Sequence, residues 1–374
     1  GRHPAPGDAV RLSARNRSKP VAPRQVAAAR ERDDAALVAR KTGVYREAQR
    51  RLPNVLLVTA SNSDYRLLLL NWECAASRLD LQWLLIAMDQ RLLEERAGDA
   101  LPLPGRQTVP SAGSAGAHQF RSRAFNAISC TKLTVVRHLL HKYGVDVVFS
   151  DPDNVFVRDP FAESLGGLIQ QRLDYVYADN EQVRLPRTAN CLRGRFSEGN
   201  TGFYFASARK REGMLGLFDD ALRRCQSQPQ LDDQAHFWAA VPALSTTVSR
   251  RSTGAFRRLQ HCDYGRGVLG FQATANDTLA LCCLDPATHV PGTAVRYALH
   301  EIVTYHANYV AGGARNKITK LRDHVHGGWL LGTANECPPA ATPLGALGMA
   351  SGALYAAGAL VEGIARLATS SLRL

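Results

Sequence analysis

Residues 145–161 read VDVVFSDPDNVFVRDPF. The run VDVVFS has the length and β-branched content of a strand buried on both faces. It breaks off at Asp151, and a second carboxylate follows at Asp153. Just upstream, TKLTVVRHLLHKYG has apolar residues at helical spacing and ends on Gly144, a residue suited to the left-handed position that closes a helix. A helix feeding a buried strand is half of an α/β repeat, and open α/β sheets bind ligands beyond the carboxyl ends of their strands. Two carboxylates at that rim are hard oxygen ligands for a divalent cation with positions open to a diphosphate. Pro152 and Asn154 also suit an ordinary Asx turn, so the segment alone leaves metal loop and structural turn both open.

The rest of the chain repeats the alternation. PNVLLVTA (53–60) reads as a first strand, followed by SNSDY and a helix through Leu70, Asn71 and Trp72. LQWLLIAMD (81–89) reads as a second buried strand, and the Gly, Ser and Pro-rich stretch 102–116 as a loop. DYVYADN (174–180) and SEGNTGFYFASA (197–208) read as further strands, with Asn200, Thr201 and Gly202 at the entrance of the latter. Gly202 there permits close approach of the backbone to a ligand, or marks a bulge. Asp233 and Gln234 precede the helical pattern AHFWAAV, for which Asp232 or Asp233 supplies the cap. Late in the chain, YHANYVAGGARNKITKL offers His306, an imidazole suited to manganese beside carboxylates, and Lys317, a cation able to neutralise a diphosphate. His261 and His300 carry no comparable context. The pattern predicts an α/β fold. No P-loop appears and no G-x-G-x-x-G follows a strand, which disfavours kinase and dehydrogenase readings.

Taken in order, the helix carrying Lys132, the strand, DPDNVFVRDP, then NTGFYF, DDQ, and HANY with Gly312 and Lys317 resemble the nucleotide-diphospho-sugar transferase domain of glycosyltransferase family 77. The likeness spans about Leu52 to Leu330. In the metal loop the chain departs from the family pattern twice: Pro152 replaces a small or β-branched residue, and Phe156 replaces a Trp. The resemblance implies a GT-A type nucleotide-sugar-binding fold, with a mostly parallel central sheet flanked by helices. It implies Mn²⁺ (or Mg²⁺) on Asp151, Asp153 and His306, and a UDP-sugar held by Thr59, Asn62, Tyr65, Lys132, Asn200, Thr201, Gly202, Asn308 and Lys317. Tyr65 would stack a uracil, although an amphipathic helix residue packing the core reads the same. Asp233 and Gln234 would face the transferred sugar as the catalytic pair. A glycan or glycoprotein hydroxyl would be the acceptor, with retention of configuration. A hydrolysing or inverting nucleotide-sugar enzyme of the same fold, or a non-catalytic glycan-binding protein, are the competing readings.

Composition is compatible with such a domain. The 374 residues are 45% hydrophobic and 21% charged, enough for one large core. Of the net charge of +13, +8 lies in residues 1–51, where thirteen Lys and Arg face five Asp and Glu. That segment is rich in Pro, Arg and small residues, and reads as a basic stem with a charged Ala-rich helix from about Val26 to Arg51. It lacks zinc-finger spacing and aromatic-interleaved basic strands, so nucleic acid is not the expected partner. The catalytic domain is expected over 52–335, and 336–374 as an Ala/Gly-rich tail or helix. Within that tail, residues 344–361 are uncharged and carry Gly348 and Gly352 at G-x-x-x-G spacing, yet hold little Leu or Ile to drive membrane insertion.

The eight cysteines show no C-x-x-C pair, which leaves disulfides in an oxidising lumen or buried free thiols. Asn16 and Asn276 begin glycosylation sequons. A chain that opens at Gly1 rather than Met is read as trimmed, with any anchor outside it. The expectation is therefore a lumenal Golgi or secretory protein, associated with the membrane through a segment not in this chain.

Overall fold

The computed structural model describes residues 23–47, 50–105, 122–180, 199–249, 258–262, 266–272, 278–284, 288–292, 302–308, 310, 313–323 and 328–339. The first 22 residues, most of the 102–116 loop, both sequon asparagines, Cys191, His300, Gly312 and the 344–361 run lie outside the described residues.

In chain order the elements begin with α1 (Pro23–Lys41), β1 (Arg46–Glu47), β2 (Arg50–Arg51), β3 (Val55–Ser61), α2 (Arg66–Arg78), β4 (Leu84–Ala87), α3 (Gln90–Glu95) and β5 (Ala100–Pro102). They continue with α4 (Arg123–Lys142), β6 (Asp146–Ser150), β7 (Asn154–Phe156), α5 (Gly166–Gln170), β8 (Tyr175–Asp179), β9 (Gly199–Ala206), α6 (Arg211–Ser227) and α7 (Asp233–Ser249). The last are β10 (Arg258–Cys262), β11 (Arg266–Gln272), β12 (Thr278–Cys283), β13 (His289–Pro291), β14 (Thr304–His306) and α8 (Gly313–Asp323).

Nine strands form the main sheet in the order β10-β11-β12-β8-β9-β6-β3-β4-β5. Following the pairings across it, only β9 and β11 run against the others, so the sheet is mostly parallel, as expected. Helices cover both faces, and β3 shows why its sequence opens on four apolar residues: all seven of its residues, Val55 to Ser61, are buried. Leu56 and Val58 face one core with Leu133, Val136 and Leu139 of α4, Phe218 of α6 and Phe237 of α7. Val55 and Leu57 face the other, with Leu68 and Trp72 of α2, Phe203 and Leu321. Alternate residues of one strand thus hold the two layers together.

The amino-terminal helix differs from expectation. It ends at Lys41, and a two-stranded ribbon, β1 with β2, follows instead of helix to Arg51. Gly43 accounts for the break: its φ is +71°, its N–H donates to the Val55 carbonyl at 2.8 Å, and a Cβ there would lie 2.3 Å from the Pro53 carbonyl oxygen. Leu37 and Val38 are buried in the α4 core, and the buried Tyr45 hydroxyl donates to the Gln82 carbonyl at 2.6 Å while accepting from the Leu57 N–H at 2.9 Å. The packed body therefore reaches back beyond the expected boundary at residue 52.

Two further constraints tie the elements together. Disulfides join Cys74 of α2 to Cys337 and Cys130 of α4 to Cys225 of α6, and no cysteine is free among the described residues. A second sheet, ordered β13-β14-β7, sits where the chain leaves β6. Phe156 in β7 is fully buried, edge-on to Trp72 and Phe203 at centroid distances of 5.4 and 6.0 Å, and so serves as an apolar core residue.

Because α1 packs as part of the core, Leu37→Ala should lower the free energy of unfolding by about 2–4 kcal/mol, read from urea titrations of the full chain. A loss below about 0.5 kcal/mol would mark the helix as a peripheral attachment.

Candidate active site

The chain leaves β6 through a tight turn. Asp151 N–H donates to the Gly202 carbonyl at 2.7 Å, and Asn154 N–H donates to the Asp151 carbonyl at 3.0 Å, closing the turn over Pro152 and Asp153. Ser150 Oγ accepts from Trp72 Nε1 at 2.8 Å and from Asn154 Nδ2 at 3.2 Å, which fixes the strand end from beneath. β7 then pairs antiparallel with β14, His306 opposite Asn154, and Ala307 N–H donates to the Asp153 carbonyl at 2.9 Å. That register carries His306 to the carboxylates: its Nε2 lies 3.3 Å from Asp153 Oδ1 and 3.7 Å from Asp151 Oδ2. One ligand atom from each of the three residues falls within 4.8 Å of the others.

These donors fit a divalent cation, since two carboxylates and an imidazole are a manganese or magnesium set. Gly202 supports the same reading. A Cβ there would lie 2.1 Å from His306 Cε1, so only glycine leaves room for the ring. Cys130, Cys225 and His236 also cluster, but their sulfurs are bonded to each other.

Two lysines complete the charge pattern. Lys132, from the middle of α4, places Nζ 3.1 Å from both Asp151 Oδ2 and Asp233 Oδ2. Burial works to lower its pKa, but Asp151 and Asp233 outweigh this and raise it. Lys317 Nζ lies 2.5 Å from Asp153 Oδ2, and Asp153 likewise overcomes the burial that would lower the lysine's pKa. Burial would raise the Asp153 carboxyl, yet Lys317 and His306 hold it well below the ordinary carboxylate range. Asp151 goes the other way: burial lifts it more than Lys132 lowers it. Lys317 stands on α8, and Gly313, at φ +70°, opens that helix.

The lysines and Asp151 divide two adjoining cavities. The larger, about 470 Å³, is lined by Asn200, Thr201, Gly202, Asp233, Gln234, His306 and Asn308 as well as by both lysines. The smaller, about 90 Å³, is lined by Asn62, Tyr65, Met88, Ile128, Pro152 and Asp153, again with both lysines. Phe125 borders both. Of the residues assigned from sequence, only Thr59 lines neither: it is fully buried within β3, and Ala60 to Asn62 form that part of the wall.

Local chemistry explains several placements. Asp232 Oδ1 accepts the Ala235 N–H at 2.9 Å, so Asp232 caps α7 and Asp233 is left to face Lys132. Gly202 N–H donates to Asn200 Oδ1 at 2.6 Å, and the β8–β9 register shifts between Tyr177 and Ala178, which pair with Tyr204 and Asn200. Thr201 to Phe203 form the bulged stretch between them; bulge and cavity entrance, the two readings of Gly202, coincide. Asn308 Oδ1 accepts the Gly292 N–H at 2.6 Å, while its buried Nδ2 has no hydrogen-bond partner among the described residues and belongs to a residue of the cavity wall.

Sequence reasoning missed Phe125 and Ser129 because it began the helix at Thr131, whereas α4 starts at Arg123. Ser122 is its N-cap, accepting the Phe125 N–H at 3.1 Å, and Ser129 Oγ accepts the Asp233 N–H at 3.2 Å. The Ser122 cap was the available signal. Gly292 was also missed; a Cβ on it would meet the Asn308 backbone at 2.6 Å.

No curated protein matches the chain in sequence. Among solved structures it is similar to a glycosyltransferase involved in glycosylation of the major capsid of PBCV-1, with 10% identity over 71% of this chain and 97% of that one and a TM-score of 0.37. It is also similar to mouse xyloside xylosyltransferase 1, with 8% identity over 68% and 98% of the two chains and a TM-score of 0.33. A third likeness is to core-mannan synthase A from Aspergillus fumigatus in its Mn/GDP form, with 10% identity over 54% and 72% and a TM-score of 0.30. The nucleotide-diphospho-sugar transferase family profile matches residues 79–321. That match covers well over half of the chain and includes every assigned site residue except Thr59, Asn62 and Tyr65; the protein is a glycosyltransferase of the nucleotide-diphospho-sugar transferase family.

Proposed function

We propose that the protein transfers a sugar from a UDP-sugar to a hydroxyl of a glycan or glycoprotein, with retention of configuration, using Mn²⁺ or Mg²⁺ held by Asp151, Asp153 and His306. The observation that carries this reading is the convergence of those three ligands between the two cavities. The family-77 likeness is its finer part and supports the retaining course. A cation bound there supplies charge to offset the diphosphate as it departs.

The remaining work falls to side chains. In the small cavity, the Tyr65 ring takes the flat base and Asn62 lines the same wall. Lys132 and Lys317 border both cavities, so they flank the diphosphate where negative charge grows as the glycosidic bond breaks. The sugar lies in the larger cavity against Asn200, Gly202, Asp233 and Gln234, with Asn308 Nδ2 a donor available to it. The Asp233 carboxylate is engaged by Lys132 at 3.1 Å. It therefore positions the sugar and stabilises positive charge at the anomeric carbon, leaving the acceptor hydroxyl to attack from the face that the diphosphate leaves.

Disulfide pairing supports assembly in an oxidising compartment, and we assign the protein to the Golgi lumen or secretory pathway on that ground. Among the described residues no helix is long and apolar enough to cross a membrane.

Incubating the full chain with manganese and a panel of UDP-sugars should release UDP from one or a few donors, with the product anomer matching the donor by NMR. An inverted product or free sugar alone would replace the reading with an inverting or hydrolysing enzyme. Asp153→Asn should lower UDP release about 100-fold or more while the protein still melts cooperatively. Gly202→Ala should raise the manganese concentration for half-maximal rate about tenfold or more, because the added methyl group displaces His306. Normal manganese curves for both variants would remove the metal from this site.

A further inference from the structure

Lys317 Nζ occupies Oδ2 of Asp153 at 2.5 Å, while His306 Nε2 faces Oδ1 of the same carboxylate at 3.3 Å. A divalent cation ligated by Asp153 meets a carboxylate whose two oxygens are already engaged. We propose that Lys317 is a built-in placeholder for that cation: it holds Asp153 until metal and nucleotide diphosphate arrive together, then transfers its charge to the diphosphate. This rests on the metal-dependent reading above and adds to it a required coupling between the two ligands.

Charge balance gives the physical reason. The buried cluster contains the carboxylates of Asp151, Asp153 and Asp233 and the ammoniums of Lys132 and Lys317, one excess negative charge when all are ionised. A dication alone turns that into one excess positive charge, with an ammonium displaced from its partner. A nucleotide-sugar diphosphate alone, bearing two negative charges, deepens the excess to three. Both together restore the starting balance. Uncompensated charge is costly where the side chains are so little exposed, 3% for Asp153 and 16% for Lys317. Each ligand therefore lowers the cost of binding the other.

Geometry singles out Lys317 from the two lysines. Lys132 bridges two carboxylates, and moving it would leave both Asp151 and Asp233 uncompensated. Lys317 holds one. Its helix is anchored by the buried Leu321, whereas its four-carbon arm can carry the ammonium a few ångströms without moving the backbone. The residue borders both cavities, so a diphosphate lying between them is within that reach.

The test is Mn²⁺ binding to the full chain, read from the EPR signal of free manganese with and without saturating UDP, whose diphosphate carries at least the charge of the nucleotide sugar's, after subtraction of the manganese that UDP holds in a titration without protein. Wild type should bind Mn²⁺ about tenfold or more tightly when UDP is present, and Mn²⁺ should tighten UDP by the same factor. Lys317→Met removes the competing charge at similar length. It should bind Mn²⁺ alone about tenfold more tightly than wild type and lose most of the UDP-dependent gain. Lys317→Arg, which keeps the charge, should follow wild type. Equal Mn²⁺ affinity with and without UDP in wild type, a comparison that needs no variant to fold, would overturn the proposal while leaving the metal site in place. Failure of Lys317→Met to gain affinity for Mn²⁺ alone would overturn it as well. Absence of Mn²⁺ binding under every condition would overturn it together with the metal-dependent function.

Discussion

The antiparallel pairing of Asn154 with His306 is the contact on which the site depends. It joins the strand that leaves the central sheet to one that arrives more than 150 residues later, and its register decides which side chain faces the carboxylates. A slip of one residue would present Tyr305 or Ala307 in place of His306, because successive strand residues point to opposite faces. The pairing is short, so other contacts must hold it. Phe156, Trp72 and Phe203 fill the space beneath β7, and Ser150 ties the end of β6 to Trp72 and Asn154. Packing on the side of the sheet remote from the ligand thus sets ligand geometry on the other.

Concentrating so much charge at that point imposes a second requirement. Three carboxylates and two ammoniums share a region in which Asp153 and Asp233 are almost wholly buried, and each is tolerated only because a partner of opposite sign lies within hydrogen-bonding distance. The arrangement needs close approach of chains, and glycine supplies it twice: at Gly202 against the His306 ring and at Gly292 against the backbone of Asn308. The Cys130–Cys225 disulfide secures α4, the helix that delivers Lys132 and Ser129, to α6. Stability and function here draw on the same contacts.

Much of this was legible in the sequence, for identifiable reasons. The buried strands announced themselves by apolar content, and the Asp-x-Asp at the end of one of them marked the rim at which the two cavities open. Asn62, Tyr65, Lys132, Asn200, Asp233, His306, Asn308 and Lys317 all line the two cavities. Thr59 does not reach the wall because it sits too deep in β3: Ala60 and Ser61, on opposite faces of the strand end, both line the small cavity, so depth along the strand rather than phase separates them from Thr59. The early break of α1 was overlooked rather than hidden: after Lys41 the chain reads Thr42-Gly43-Val44-Tyr45, all weak helix formers, and the close contact of Gly43 with Pro53 adds a tertiary reason for the break. Lys317 was recognised by its chemistry alone, and the helix that carries it, α8 from Gly313, was not read from the sequence.

Pro152 brings the competing readings of the metal loop together. With Asn154 N–H bonded to the Asp151 carbonyl at 3.0 Å, residues 151–154 form a β-turn with Pro at its second position and Asp at its first, both favoured there. Proline has no N–H to satisfy, and its fixed φ removes conformations that the unfolded loop would otherwise sample. The ring is buried and presents a compact apolar surface to the small cavity beside Tyr65. The ordinary turn that Pro152 and Asn154 suggest is the same turn that brings Asp151 and Asp153 to one point, because it reverses the chain between them and lets both carboxylates face His306.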